Sequence, residues 1–233
     1  MNKITDSKRK TQRIIVIVAI IVLALVALYV ILDTVGIIQA LITGYLPIEN
    51  DCGYKFEDDG KISYYVGFDA EGDVVCPERF LFWDITEVVI PGCPAIRSVT
   101  VNSRTDFIST FLDGCSSFEG YIVDENNPYF YSKDGVVFSK DGKTLVSYPA
   151  GKKDTVYELP VSVEEIGLQA INEIFYLETL IIRNENLVVH KYPQGFEFTN
   201  KIVNIYVPDN LVETYRAADG WKEYAEYIFP IAE

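Results

Sequence analysis

Five side chains have the chemistry to act as nucleophile, soft metal ligand or neutral-pH base: the single His190 and the four cysteines Cys52, Cys76, Cys93 and Cys115. Their spacing works against all three roles. There is no second histidine for a multi-histidine metal site and no Cys-x-x-Cys pair for a zinc or redox centre. A Gly-x-Ser-x-Gly elbow, a phosphate loop and a His-Glu-x-x-His helix are also absent. Asp69, Glu71 and Asp73 have the alternate spacing of a calcium loop. However, Val74 stands where the sixth position needs glycine, and Phe80 where the twelfth needs glutamate. His190 reads as a surface or packing residue, and the acidic triplet and the Asp-Gly pairs at 134 and 141 read as turns. The expectation is a non-enzymatic chain with no catalytic, cofactor-binding or metal-binding residue.

Charge narrows the partners further. Of 233 residues, 34 are acidic and 20 basic, a formal net charge of -14. A surface so negative repels a phosphate backbone, so nucleic acid is excluded as a partner. The basic residues are also unevenly placed. Lys3, Lys8, Arg9, Lys10 and Arg13 face only Asp6 in the first thirteen residues, and residues 14–32 are then drawn only from Ile, Val, Ala, Leu and Tyr. Such a run is close to the ~20 residues needed to cross a bilayer as a helix, and the basic flank holds the tail in the cytoplasm. The run is too long for the h-region of a signal peptide, and the small residues after it are poorly spaced for cleavage. It reads as an uncleaved anchor with the remaining, strongly acidic chain exported.

Beyond Pro47 the texture changes to short β-branched and aromatic runs punctuated by Gly, Pro, Asn and Asp, a strand-and-turn pattern. A repeat runs through it: apolar, two variable, apolar, one variable, apolar, then a turn or polar residue. It reads Ile85, Val88, Ile90, Pro91; Ile96, Val99, Val101, Asn102; Phe118, Tyr121, Val123, Asp124; Leu177, Leu180, Ile182, Arg183; and Ile202, Ile205, Val207, Pro208. A degenerate copy is Tyr157, Leu159, Pro160. The closing positions are 11, 22, 36, 23 and 25 residues apart, mostly within the 20–29 of a leucine-rich repeat. The gap of 11 suggests a shortened first coil. The gap of 36 holds two Asp-Gly turns around an alternating run and predicts an inserted hairpin at about 129–149.

Between the strands, Ile108, Phe111, Leu112 and Cys115 compare with Ile166, Ala170, Ile171 and Phe175 as inward positions of a return leg. From Asp209, an acidic N-cap candidate, the positions of Leu211, Val212, Tyr215, Trp221, Tyr224 and Ile228 predict an amphipathic cap. The predicted fold is a β-rich leucine-rich repeat solenoid of five or six coils with an inserted β-hairpin and a C-terminal capping helix, preceded by one transmembrane helix. Its parts are a cytoplasmic tail (1–13), an anchor (14–38), a juxtamembrane segment with short strands (39–80), the solenoid (81–208) and the cap (209–233).

These motifs resemble the BspA-type leucine-rich repeat family of bacterial cell-surface proteins. The stretch from Asn126-Asn127-Pro128-Tyr129 through Asp134-Gly135 and Asp141-Gly142 to Tyr148-Pro149-Ala150-Gly151 is similar to that family's hairpin insertion. Val163-Glu164-Glu165-Ile166-Gly167 resembles its repeat core, Gly114-Cys115 with Phe118 its return leg, and Ile205-Tyr206-Val207-Pro208 through Gly220-Trp221 its ending. The resemblance spans roughly residues 81–229. It implies an adhesion or interaction module at the cell surface.

If the strands form one ladder, the residue between the last two apolar positions of each points outward. That row, Val89, Thr100, Ile122, Glu158, Ile181 and Tyr206, is a candidate face for a protein or glycan partner. Cys93 and Cys115 fall at inward repeat positions and read as buried thiols. Cys52 and Cys76 either staple a small loop in an oxidising compartment or stay reduced. The resulting function is a membrane-anchored cell-surface binding module. The alternative is a structural scaffold or accessory subunit of an envelope complex, held through the anchor at residues 14–38.

Overall fold

The computed structural model describes residues 17–28, 30, 45–47, 52–57, 60–109, 111–187, 196–197 and 204–232. The chain divides into two units, Met1–Pro47 and Ile48–Glu233. In the first, residues 17–28 are α-helical with every side chain exposed, and Tyr45–Pro47 is a strand. Among the described residues no helix is long and apolar enough to cross a membrane. Apart from residue 30, the rest of the expected 14–38 span lies outside the described residues, as does His190.

The second unit is a solenoid with two ladders of short strands. Seven strands among the described residues form the front face. Gly72–Val75, Ile96–Val101 and Gly120–Val123 pair in parallel, as do Val156–Leu159, Thr179–Ile182, Asn204–Val207 and Ile228–Pro230. Their registers place Val74, Val99 and Tyr121 in one inward row and Tyr157, Leu180, Ile205 and Ile228 in another. Each strand is only three to six residues long. Alternation of side chains then gives each strand one or two core residues, so no coil can bury its face alone and the stack supplies the core.

The back ladder runs through Ile62–Tyr65, Glu87–Val89 and Phe107–Ile108, again parallel, with Tyr64, Val88 and Ile108 inward. This corrects the reading of residues 85–90. They are not a shortened first coil but the opposite side of a full one, and the gap of 11 is half a turn of the solenoid. The front strand of that coil is Gly72–Val75, and Val74 is its only buried residue, too little apolar pattern to register as a repeat. The solenoid thus starts within the segment assigned as juxtamembrane, upstream of residue 81.

Residues 129–149 form a meander. Phe130–Lys133 and Val136–Ser139 are antiparallel across the Asp134-Gly135 turn, where both residues have positive φ (51° and 81°), as a two-residue primed turn requires. Thr144–Ser147 then pairs antiparallel with Val136–Ser139 on one side and in parallel with Glu165–Ile166 on the other. The hairpin ends the first front ladder. The Tyr121 amide, instead of bonding a next strand, donates to the Gly135 carbonyl at 2.9 Å, and the Val123 amide donates to Ser132 Oγ at 3.0 Å. That approach needs glycine on both sides, because a Cβ on Gly120 would lie 2.7 Å from Gly135 Cα.

Buried asparagines seal the coil corners. Asn102 Nδ2 donates to the carbonyls of Pro77 and Ile85, and Asn127 Nδ2 donates to those of Asn102 and Thr105 at 2.9 and 2.8 Å. The C-terminal closure differs from the single capping helix expected. Short 3-10 turns at Asp209–Leu211 and Lys222–Tyr227 flank an α-helix at Val212–Ala217, whose N-cap is Leu211, and Asp209 opens the first turn instead of capping the helix. Ile228–Pro230 then adds a last front strand, so the cap is itself closed by a coil. Two return-leg positions also shift. Phe111 is exposed rather than inward, and Ile174, not the half-buried Phe175, fills the core.

Candidate functional site

Three outward surfaces are held by this frame. The first is the front row. Thr100 and Ile122 are cross-strand neighbours, and Glu158, Ile181 and Tyr206 form a second aligned set. The row is interrupted between Ile122 and Glu158 because the hairpin intervenes. Val89 is not part of it: its partner is Tyr65 on the back ladder. Val75 takes the place assigned to Val89, and Phe229 extends the row past Tyr206. Of the residues in the expected row, Ile122 is the most exposed apolar one, at 57%, while Ile181 and Tyr206 are half-buried and Glu158 is held by Arg183 at 2.9 Å.

The second surface lies in a tight hairpin between Arg79–Phe80 and Trp83–Asp84, whose turn residues Leu81 and Phe82 are 70% and 74% exposed. Sequence reading passed over this segment because it sits outside the repeat. The hairpin is clamped at its base by Arg79 Nε on Asp84 at 2.8 Å, with Arg104 Nη1 on the other carboxylate oxygen at 3.0 Å. Aromatic rings back its tip. Trp83 lies 3.9 Å from Phe82 between ring centroids and 6.1 Å from Phe56, and Phe80 lies 4.5 Å from Tyr54. Leu81 has φ of 57°, a left-handed conformation that costs a side-chain-bearing residue on the order of 1–2 kcal/mol. Strain and water-exposed apolar area thus coincide at one tip.

The third surface is a cleft of about 540 Å³ on the outer side of the back ladder. Glu57, Tyr65, Glu87, Val89, Phe107 and Phe111 line it, so Val89 contributes to a candidate site, though not the one its sequence position implied. Phe107 and Phe111 form an apolar wall, 50% and 56% exposed. The polar side is a network of ion pairs. Lys55 is 2.8 Å from Glu57, and Lys61 is 3.4 Å from Glu87 and 3.2 Å from Asp106. The buried Ser63 hydroxyl lies 3.0 Å from Glu57 Oε1 and 2.6 Å from Glu87 Oε2. The hydrogen bond to Asp106 raises the Lys61 ammonium above its ordinary value, and the bond to Glu57 does the same for Lys55.

All four cysteines are free and buried. Cys52 Sγ accepts from the Gly67 amide at 3.3 Å, and Cys76 Sγ accepts from Asn102 Nδ2 at 3.4 Å. Burial pushes the Cys76 thiol up to about 12, against a partial lowering by Asn102. Cys93 is also raised, by its hydrogen bond to the Cys115 thiol and by burial. Asp73, from the rejected calcium triplet, is held below the usual carboxylate range by hydrogen bonds from Arg97 and Ser98. Among the described residues no group of three or more His, Cys, Asp or Glu side chains is placed to hold a metal ion.

No protein-family model and no curated protein matches the chain. Solved structures do. A leucine-rich repeat protein from Eubacterium ventriosum is similar at 12% identity and a TM-score of 0.38, over 68% of this chain and 64% of that one. The pneumococcal vaccine antigen PcpA is similar at 14% identity and a TM-score of 0.30, over 62% of this chain and 65% of that one. A leucine-rich cell surface protein from Faecalibacterium prausnitzii is similar at 9% identity and a TM-score of 0.27, over 71% of this chain and 73% of that one. The match spans less than two thirds of the first two of these proteins.

Proposed function

We propose that this chain is a cell-surface interaction module, tethered through residues 14–38, whose exported solenoid binds protein or glycan partners by shape and side-chain complementarity without making or breaking bonds. The observation that carries this reading is the hairpin tip at Leu81 and Phe82. Contiguous exposed apolar area on a rigid support is characteristic of contact surfaces, and here it is combined with backbone strain. The front row supplies a second, flatter surface. Thr100, Ile122, Glu158, Ile181 and Tyr206 remain its contact candidates.

The test is binding of the full chain to intact bacterial cells, with Phe82→Ser/Trp83→Ser and Ile122→Glu as separate variants. The expected result is loss of at least about tenfold in bound protein for the first, since aromatic anchors dominate interface energies, and a smaller loss for the second. Unchanged binding in both variants sinks the reading. Partners that survive both variants but require residues 14–38 would establish the scaffold role instead.

A further inference from the structure

We propose that the cleft on the back ladder binds a neutral glycan through a pyranose ring. This inference rests on the interaction-module reading and deepens it by naming a site and a ligand class.

The lining defines the ligand by what it offers and by what it has already used. At about 540 Å³ the cleft falls within the roughly 300–1,000 Å³ of small-ligand sites. One wall presents the exposed rings of Phe107 and Phe111, flat apolar surfaces bared to solvent on a strand end and the loop after it. Beside them, Glu57 and Glu87 offer carboxylate oxygens as acceptors, each already paired with a lysine, Lys55 or Lys61, that lies outside the lining. Tyr65 and the Ser109 side of the cleft border the floor. A ligand that fits must therefore be flat and apolar on one side and carry hydrogen-bond donors along its edge.

The charges decide between candidates. Each cleft carboxylate already has an ammonium partner, at 2.8 Å for Glu57 and 3.4 Å for Glu87. A cationic peptide would have to displace Lys55 or Lys61 from the carboxylate that it holds. An anionic ligand would meet Glu57 and Glu87. A neutral polyol breaks no ion pair. Its hydroxyls donate to the carboxylate lone pairs that the lysines and Ser63 leave unused. Hydrogen bonds to charged groups of this kind are stronger than neutral ones. A pyranose has this two-sided character: axial C–H bonds give one apolar face, and equatorial hydroxyls ring the edge.

The site is also built on a rigid support. Val89 and Tyr65 are cross-strand neighbours, Glu87 pairs in register with both Ser63 and Phe107, and the Ser63 hydroxyl holds the two glutamates from beneath. The two carboxylates are thus held in place before a ligand arrives, which favours affinity for a weak ligand.

The test is saturation-transfer difference NMR and titration on the full chain, in a sugar-free zwitterionic detergent, with cellobiose, lactose and chitobiose as probes and tetralysine as the charged competitor. At least one disaccharide is expected to receive saturation mainly at axial C–H protons. Its affinity should fall by about tenfold or more in Phe107→Ala/Phe111→Ala and stay within about threefold in Phe107→Tyr/Phe111→Tyr, because two ring contacts are lost in the first and kept in the second. Phe107→Leu/Phe111→Leu keeps apolar area without a ring face and should behave like the alanine pair. An unchanged thermal transition in these variants confirms folding. Equal affinity in the wild-type and alanine proteins, no binding by any of the three sugars, or preference for tetralysine would each overturn the inference. If the sugars fail while cell binding through Phe82 and Trp83 persists, the cleft proposal falls and the module stands. If both fail, both fall.

Discussion

The two halves of the solenoid are built from the same repeat but spend their apolar residues differently. From Val136 to Ile228 most of them are gathered inward, with Val156, Val161 and Leu168 left outside. Leu159, Leu180, Ile182, Ile205 and Val207 join Tyr148, Tyr215 and Trp221 in one continuous cluster, with Tyr215 and Trp221 packed edge to face at 4.9 Å. From Cys52 to Val123 the core is mixed, with four thiols beside Tyr64, Phe118 and Tyr121, while Phe68, Phe82, Phe107 and Phe111 are half or more exposed. Ion pairs between successive coils accompany those exposed rings: Lys61 with Asp106, Arg104 with Asp84, and Arg97 with Asp73. Exposed pairs of this kind contribute about 0–1 kcal/mol each, so they set geometry more than stability. The comparison teaches that the exposed aromatic rings concentrate in the first half of the array, while the second half closes around buried ones.

The largest effect that could break this division is in the second half. Leu180→Ala empties a fully buried position and should cost about 2–5 kcal/mol in chemical denaturation, whereas its neighbour Ile181→Ala should cost under about 1 kcal/mol. Similar losses at both would mean that the strand does not alternate as described. Next comes a corner. Asn127→Ala leaves the carbonyls of Asn102 and Thr105 without their donor and should cost about 1–3 kcal/mol, a loss that Asn127→Asp would not repair because a carboxylate cannot donate to them.

Smaller effects sharpen the first half. Leu81→Gly should leave stability unchanged or raise it by roughly 0.5 kcal/mol, since release of a left-handed side chain outweighs the added chain entropy of glycine. A clear loss would show that the Leu81 side chain is packed rather than displayed. The thiols provide a pH test. Cys76 is neutral in the folded state up to about 12, so between its ordinary value of 9.0 and that point only the unfolded chain ionises it, and stability falls as pH rises through that window. Replacement with Ala should flatten that slope. Iodoacetamide at pH 8 should label Cys76 only on unfolding, and rapid labelling of the native chain would contradict its burial.

Legibility in the sequence followed apolar periodicity. The strands at Ile96–Val101, Thr179–Ile182 and Asn204–Val207 were readable because each places two or more large residues inward at alternate positions. Gly72–Val75 was not, since glycine and aspartate occupy half of it and Val74 alone is buried. Residues 85–90 were read as a repeat but assigned to the wrong ladder. A strand on either face of a solenoid has the same two-residue alternation, and nothing local says which face it joins. The hairpin was clear at Asp134-Gly135 because a two-residue primed turn needs positive φ twice, a demand few dipeptides meet.

The sequence by itself therefore determined the type of element and the coil-by-coil repeat, because both follow from local alternation and from turn residues a few positions apart. It also determined the lack of any recognisable catalytic motif. Which faces look outward, and which residues meet there, was decided only in three dimensions. Glu57, Glu87, Phe107 and Phe111 are spread over more than fifty positions, and they meet because Gly53–Phe56 pairs antiparallel with Ile62–Tyr65 while the following coils stack on it in parallel. Their juxtaposition depends on strand register across coils, a long-range quantity that no stretch of the chain encodes alone.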